Sequence, residues 1–213
     1  MNKRILIISA AILGFASITN AGNRGKVVDE KTVAKITEAM PEKPPAKPGK
    51  PRKVLVYSTC GGFYHGCIPT ANKAFEIMGN KTGAFAAVVS DDVAHFAPEK
   101  LKEFDCVIFN NSTGNLFKPA MPRKPRKPNP KRIKDPAKLA KATEKFKKDL
   151  ARYQVELEKA RAQPDNSAEV RKALMAYVKN GGGIMGCHAA TDTRGWDEYN
   201  EMIGGQFSGH PWH

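Results

Sequence analysis

Short apolar runs alternate with helical patterns from residue 53 onward. Four such runs predict strands: residues 54–57, 85–90, 104–109 and 183–187. Helical patterns cover residues 69–78 and 166–180, and the second begins at Asn166 with Glu169 as its capping-box partner. Near-continuous apolar runs separated by helices are typical of parallel strands buried on both faces. The pattern therefore predicts an α/β fold with a doubly wound parallel sheet.

A basic, proline-rich segment interrupts this alternation at about residues 117–165. Prolines stand among Lys and Arg up to residue 134, and a long helix then begins with Asp135 as N-cap and Pro136 in the first turn. Its apolar stripe either packs on the protein's own core or pairs with a partner helix. The stripe comprises Leu139, Phe146, Leu150, Tyr153 and Leu157. We expect a single domain, residues 53–213, with a basic helical insertion.

Two segments precede this domain. Residues 1–21 have the basic start, apolar run and small-residue end of a signal peptide cleaved after Ala21; the alternative is an uncleaved N-terminal anchor. Residues 22–52 form a Pro/Lys-rich linker, extended at 41–51. We expect an exported protein, periplasmic or extracellular, without a stable membrane span after cleavage. Because residues 211–213 bring no closing element, we also expect the domain to be incomplete at its C-terminus.

The charge lies outside the predicted core. Residues 118–161, called the basic arm below, contain 16 Lys and Arg and 5 Asp and Glu, a net charge of +11 out of the chain's +14. Residues 54–117 and 162–213 together carry −4. A nucleic-acid-binding domain carries its positive charge on the folded face, interleaved with aromatics, so we expect a solvated tether and no nucleic-acid partner. Phosphate-loop and dinucleotide motifs are missing, which argues against a nucleotide cofactor.

Polar loops follow three of the predicted strands, where ligands bind in open α/β sheets. Residues 186–190 resemble a nucleophile elbow with His188 at its tip, suited to a general base or a metal ligand. The alternative is a histidine that only bonds a neighbouring loop. Asp192 either orients this imidazole or caps the following helix. His65, in the loop after the first strand, has either a chemical or a structural role.

The sequence also allows a metal site. We expect the first and fourth strands to lie close together, so that His65 and His188 approach each other. Zinc or another divalent metal can then bind, with His210 or Asp192 as third ligand. Without a metal, His188 would act as a base oriented by Asp192. His95 is expected to be an exposed bystander, and Cys60 and Cys67 share a loop in which a disulfide is possible.

These loops resemble those of the ThuA-like, or trehalose-utilisation, family. Residues 62–68 (GFYHGCI) resemble its GFxHxSI motif, and residues 110–114 (NNSTG) its NTTG-like loop. Residues 181–193 (GGGIMGCHAATDT) resemble its GGGxxGxHAATDT, and residues 207–211 (FSGHP) its FxxHP. The chain departs from the family pattern at Cys67, where the family has serine, at Cys187, where it has an aliphatic residue, and in the insertion.

The resemblance implies a flavodoxin-type, class I glutamine amidotransferase-like fold, a role in carbohydrate metabolism and a small-molecule sugar as partner. Glutamine hydrolysis is not expected, because the elbow carries His188 rather than cysteine. One hypothesis is an exported hydrolase- or lyase-like enzyme for a sugar or oxidised sugar, with His188, His65 and Asp192 as catalytic residues. The other is a non-catalytic carbohydrate-binding or protein-interaction module. The expected substrate-binding residues are Gly62, Phe63, Asn111, Thr113 and Trp196.

Overall fold

The structure is a computed structural model that describes residues 27–119 and 121–211. Four parallel strands form one sheet: β1 (Lys53–Tyr57), β2 (Ala86–Ser90), β3 (Cys106–Asn110) and β4 (Gly183–Cys187). Their order is β2-β1-β3-β4, which is the beginning of the flavodoxin-type order 2-1-3-4-5. The predicted α/β fold with a doubly wound parallel sheet is confirmed. The predicted signal peptide lies outside the described residues.

Six α-helices accompany the strands in the described residues. They are α1 (Glu30–Ala39), α2 (Ile68–Thr82), α3 (Pro98–Leu101), α4 (Pro136–Ala162), α5 (Ser167–Lys179) and α6 (Asp197–Ile203). Short 3₁₀ segments cover Val93–Phe96 and His188–Asp192. No helix within these residues is both long and apolar enough to cross a membrane. The sequence analysis expected a helix after Asp192 but gave it no bounds, because the seven residues of α6 are too few to show a helical period.

The two faces of the sheet are covered by unequal cores. β1 and β3 each have four consecutive buried residues, as expected for central strands covered on both sides. The larger cluster is built around the aromatic rings of Tyr57, Phe96 and Phe109. On the opposite face Val56 and Ile108 form the smaller cluster. The buried β1 and β3 therefore fix where their carboxyl ends, and the loops that follow them, lie.

The N-terminus of helix α5 is capped by a different side chain from the one that the sequence predicted. The side chain of Asn166 makes no capping hydrogen bond. Instead the carboxylate of Asp165 accepts the amide of Ser167 at 3.1 Å, and Lys118 lies 3.8 Å from that carboxylate. The N-cap position of Asn166 is therefore confirmed, but its predicted capping hydrogen bond is not made, and the only first-turn amide that a described side chain caps is that of Ser167, through Asp165.

Part of the predicted linker folds back onto the domain. Helix α1 lies against α2, where the ammonium group of Lys81 donates to the carbonyls of Thr37 and Met40, each at 2.8 Å. Val33 and Ile36 are half-buried along α1. Residues 41–52 contain neither helix nor strand. The extended part of the predicted linker is therefore confined to those residues, and α1 is a docked element.

The predicted long helix of the basic arm is present as α4, but its apolar stripe does not pack on the core. Asp135 caps α4 by accepting the amides of Ala137 and Lys138 at 2.9 and 3.1 Å. Of the described α4 side chains only Ala160 is buried, and the five residues of the apolar stripe are half-buried. Neither core cluster includes a residue of α4. The expectation that the stripe packs on the core was therefore wrong.

Replacing residues 118–161 by a short Gly/Ser bridge should leave the fold intact. The melting temperature should stay within a few degrees of the parent value, since no α4 side chain joins a core cluster. Thermal unfolding followed by circular dichroism measures this. As the control, Leu174→Ala removes a fully buried α5 side chain and should cost about 2–5 kcal/mol. Loss of a cooperative transition in the deletion variant would show that the arm belongs to the core.

Candidate functional site

The turn after β4 has the strained geometry of an elbow. β4 ends at Cys187, and His188 follows with φ of +51°, in the left-handed region that non-glycine residues rarely occupy. A Cβ atom on Gly186 would lie 2.9 Å from the side chain of Ile203, so this turn admits only a small residue there. Such strain costs on the order of 1–3 kcal/mol and clusters at functional sites. It places the exposed His188 side chain beyond the sheet.

The loop after β1 is fastened to the end of β3. The amides of Gly61 and Gly62 both donate to the carbonyl of Thr113, at 2.8 and 3.1 Å. The Thr113 hydroxyl donates in turn to the carbonyl of Phe63 at 2.8 Å. A Cβ atom on Gly114, whose φ is +74°, would lie 2.6 Å from the amide nitrogen of Gly62, so this position has no room for a side chain. The loop therefore crosses the carboxyl end of β3.

This crossing brings two imidazoles together. The strands β1 and β4 are not paired, since β3 lies between them. His65 nevertheless reaches His188, since its loop spans β3, and the two ring centroids are 4.9 Å apart in an edge-to-face arrangement. Phe63 lies 4.9 Å from His65 by the same measure. Three rings thus follow one another across the site.

A cavity of about 320 Å³ opens beside these rings. Phe63 is 66% exposed at its rim, which is unusual for a large apolar side chain. The ring of Phe207 packs 4.9 Å from that of His210, and the Phe207 amide donates to the carbonyl of Thr191 at 2.8 Å. The described residues lining the cavity are Phe63, His65, His188, Ala189, Thr191, Asp192, Phe207 and His210.

His65 is held in a setting that favours its neutral form. Its pKa is lowered from the ordinary 6.5, first by burial and then by the positive charges that His188 and His210 can carry. Asp192 acts in the opposite direction. The Nδ1 atom of His65 is buried and has no hydrogen-bond partner among the described residues. His65 therefore offers a neutral imidazole with an uncommitted nitrogen.

Asp192 lines the cavity without taking either predicted role. Its carboxylate accepts the Nε–H of Arg194 at 3.1 Å, and the side chain is 17% exposed. Helix α6 has Trp196 rather than Asp192 at its N-cap. No hydrogen bond in the described structure joins Asp192 to His188. Asp192 thus acts on His65 through its charge.

Three predicted substrate-binding residues lie beneath the cavity instead of lining it. Asn111 is 2% exposed and donates through its amide to Asn110 at 2.7 Å. Thr113 is fully buried and carries the loop contacts described above. Trp196 is 3% exposed and stacks on Tyr199 in the core, with ring centroids 5.1 Å apart. These three side chains support the site from below. Of the other two predicted residues, Phe63 faces the cavity, and Gly62 positions Phe63 through its hydrogen bond to Thr113.

Sequence reasoning missed one lining residue of consequence. Phe207 faces the cavity together with His210, although only His210 was singled out. Phe207 begins the segment that resembles the family's FxxHP motif, and that position was the available signal. With Phe63 it gives the cavity two aromatic walls.

The described residues contain no group of three or more His, Cys, Asp or Glu side chains arranged to hold a metal ion. His65 and His188 supply two adjacent imidazoles, and His210 shares their cavity. All four cysteines are free thiols. Cys60 donates to the carbonyl of Asn111 at 3.3 Å, so the disulfide that the loop allowed is not formed.

Two larger cavities lie elsewhere. One of about 400 Å³ includes Arg52, Asp105 and Gly182 in its lining, at the amino ends of the strands. Another of about 630 Å³ lies beside α5 and includes Arg171 and Trp196. Ligands of open α/β sheets bind at the carboxyl ends, and only the smallest of these three cavities lies there. Size alone therefore does not identify the site.

Fold and site together define a flavodoxin-type α/β domain with a histidine-lined cavity at the carboxyl edge of its sheet. The family model of ThuA, described as trehalose utilisation, matches residues 53–126 and 135–213. The chain belongs to this family, which confirms the resemblance seen in its loops and gives it a role in trehalose utilisation at the family level. No curated protein and no solved structure matched the chain.

The charges around His65 give a two-sided prediction. Its pKa should rise toward 6.5 in His188→Gln, which removes a neighbouring positive charge, and should fall further in Asp192→Asn, which removes the opposing carboxylate. Titration of the ring protons by NMR measures both. Because folding lowers this pKa, His65 favours the native state above pH 6.5 and loses that contribution as pH falls through the folded value. If His65 had a pKa of 6.5 in the parent protein, and neither substitution changed that pKa, the described arrangement of His65, His188 and Asp192 would be contradicted.

Proposed function

We propose that this protein binds a sugar or an oxidised sugar in the cavity and transforms it by acid–base chemistry at His188 and His65. The observation that carries the proposal is the pair of imidazoles, 4.9 Å apart, in one cavity at the carboxyl edge of the sheet. The strained backbone at His188 supports catalysis over simple packing, because a structural histidine has no need of φ at +51°. The family-level role in trehalose utilisation supports a sugar as the ligand.

The two histidines suit complementary proton transfers. His65, whose pKa is lowered, accepts a proton from a sugar hydroxyl or from a carbon next to a carbonyl group. His188 stands at the tip of the elbow, exposed toward the cavity, and exchanges a proton with the same substrate from the other side. Asp192 stabilises positive charge on the pair as it develops. The result is hydrolase- or lyase-like chemistry.

The shape of the cavity supports a small saccharide. A volume of about 320 Å³ is at the low end for ligand sites and fits one or two sugar rings. Phe63 and Phe207 offer aromatic faces for the apolar face of a pyranose ring, and exposure of Phe63 leaves it free to stack. Export through the predicted signal peptide would place this activity in the periplasm or outside the cell.

A divalent metal such as zinc defines the second form of the proposal, in which the two imidazoles bind the ion instead of exchanging protons. His65 and His188 would hold it, because the buried Nδ1 of His65 has no other partner in the described structure and the imidazoles are adjacent. When bound, the ion would supply Lewis-acid chemistry. The described protein residues offer two close ligands, so the substrate would complete the coordination.

The proposal is tested with the full chain and a panel of neutral mono- and disaccharides and their oxidised forms. Saturation-transfer NMR reports binding, product analysis reports turnover, and elemental analysis of the purified protein reports metal. Phe63→Ala should weaken binding, while Phe85→Ala, a change of the same kind beside the smaller core cluster, should not. Binding without turnover in the parent protein would favour a non-catalytic module. If the parent protein neither bound nor transformed any member of the panel, the proposal would be overturned.

A further inference from the structure

Basic side chains follow a straight row along α4. Lys138, Lys141, Lys145, Lys148 and Arg152 are spaced three and four residues apart, so they share one face of the helix, and all are exposed. Lys159 continues the row beyond Val155. The row presents about one positive charge per helical turn over roughly 30 Å. Glu144 and Glu156 pair with two of its members, and exposed pairs of this kind contribute little.

The apolar stripe on the opposite side of α4 is half-buried. Prolines 119, 122, 125 and 128 are half-buried and repeat every three residues, the period of a polyproline II helix. The chain then turns at Asn129, whose carbonyl accepts the amides of Arg132 and Ile133, and returns as α4. Both the proline row and the apolar stripe are half-buried, as expected for a hairpin whose two arms pack together. The basic row is consequently the outer face of the basic arm.

The arm leaves the domain next to the cavity. The guanidinium group of Arg123 donates to the carbonyl of Gly62 at 3.3 Å, and Gly62 directly precedes Phe63 at the cavity rim. Residues 118–134 contain eight Lys and Arg and no Asp or Glu. A ligand lying along the arm would therefore meet continuous positive charge up to the rim.

We propose that the basic arm binds an anionic polysaccharide and holds it beside the cavity, so that the substrate of the site is a carboxylated or sulfated glycan. This inference rests on the proposed function. One charge per helical turn matches the length of a sugar unit in an extended chain that carries an acidic group on each ring. Regular charge complementarity of this kind supplies salt-dependent affinity for a polyanion.

Two other anionic partners fit the arm less well. A helix that lies on a membrane needs an exposed apolar face, and here the apolar stripe is half-buried while Val155 alone is a large apolar side chain exposed on α4. Single-stranded nucleic acid is bound through exposed aromatic side chains. The arm's aromatic residues, Phe146 and Tyr153, belong to the half-buried stripe. Among the described residues of the arm, Met121 and Val155 are the only exposed large apolar side chains, so charge dominates its exposed surface.

The test uses the full chain and measures binding to polygalacturonate and dextran sulfate, with uncharged dextran for comparison. Reversing three row charges (Lys138→Glu, Lys141→Glu and Lys145→Glu) should weaken polyanion binding by about tenfold or more. The matched control reverses three exposed lysines outside the arm (Lys31→Glu, Lys35→Glu and Lys43→Glu) and should change it less than about threefold. Binding by the parent protein should also fall steeply between about 50 mM and 200 mM salt.

Equal losses in the two triple variants would overturn the proposal, because net charge rather than the row would then carry binding. Equal or tighter binding of single-stranded DNA, or of vesicles containing phosphatidylserine, would overturn the choice of partner. The test is separable from that of the proposed function. Polyanion binding that survives His188→Gln, in a protein that turns over no sugar, would support the arm and reject the catalytic proposal. If the protein transformed only neutral sugars, and the triple variant of the basic row did so at the parent rate, the proposed role of the basic arm would be rejected.

Discussion

Replacing His188 with glutamine should lower kcat/KM for the sugar that the cavity transforms by about 10²–10⁴-fold, the usual contribution of a positioned acid or base. Glutamine retains a polar side chain of similar reach but exchanges no proton. His65→Gln should cause a loss of the same order, since the two rings are 4.9 Å apart and act on one ligand. The double variant should lose little more than either single one, because residues that act as a unit are not additive.

The matched control is His95→Gln. His95 packs its ring 5.7 Å from that of Phe104 and lies outside the described lining of the cavity. It is half-buried rather than the exposed bystander expected from sequence. Steady-state kinetics on the same substrate should therefore leave kcat/KM unchanged for this variant. If His188→Gln and His95→Gln behaved alike, His188 would have no part in the reaction.

The strands were predictable because each coincides with a short, largely apolar run between helical patterns, although only β1 and β3 have buried residues. β4 was placed at its observed residues, and the other three within two residues at either end. A run of this kind is a property of the local sequence, so a pattern reveals it. Helix α4 was likewise visible in its cap at Asp135 and its first-turn proline. Whether its apolar stripe would join a core cluster was not visible, since that depends on tertiary packing.

The meeting of the two histidines depended on a contact that no local pattern contains. The sequence predicted that the first and fourth strands would lie close enough for the histidines to approach each other, but not that β3 would lie between these strands. His65 arrives because a buried threonine in another loop holds the glycines before it. The same buried loop residues were expected to touch substrate, because polar residues at strand ends suit both support and binding. Only their burial in the folded chain separates these roles.

Replacing Gly114 with alanine should destabilise the domain by about 2–5 kcal/mol. A positive φ costs a non-glycine residue roughly 1–2 kcal/mol. In addition, the new Cβ atom would lie 2.6 Å from the amide nitrogen of Gly62, and overpacking of this kind costs about 1–3 kcal/mol. Denaturant unfolding measures the change in the free energy of unfolding. Relief of the clash would move the loop that carries His65, so sugar binding should weaken as well.

Gly83→Ala separates the two causes. Gly83 ends α2 with φ of +66°, close to the +74° of Gly114, but a Cβ atom there would meet nothing within 4 Å. This variant should lose only the conformational part, about 1–2 kcal/mol, and should bind sugar as the parent protein does. The difference between the two variants isolates the contact between the loops that follow β1 and β3. If both variants lost the same free energy and bound sugar equally, that contact would not be what holds His65 against His188.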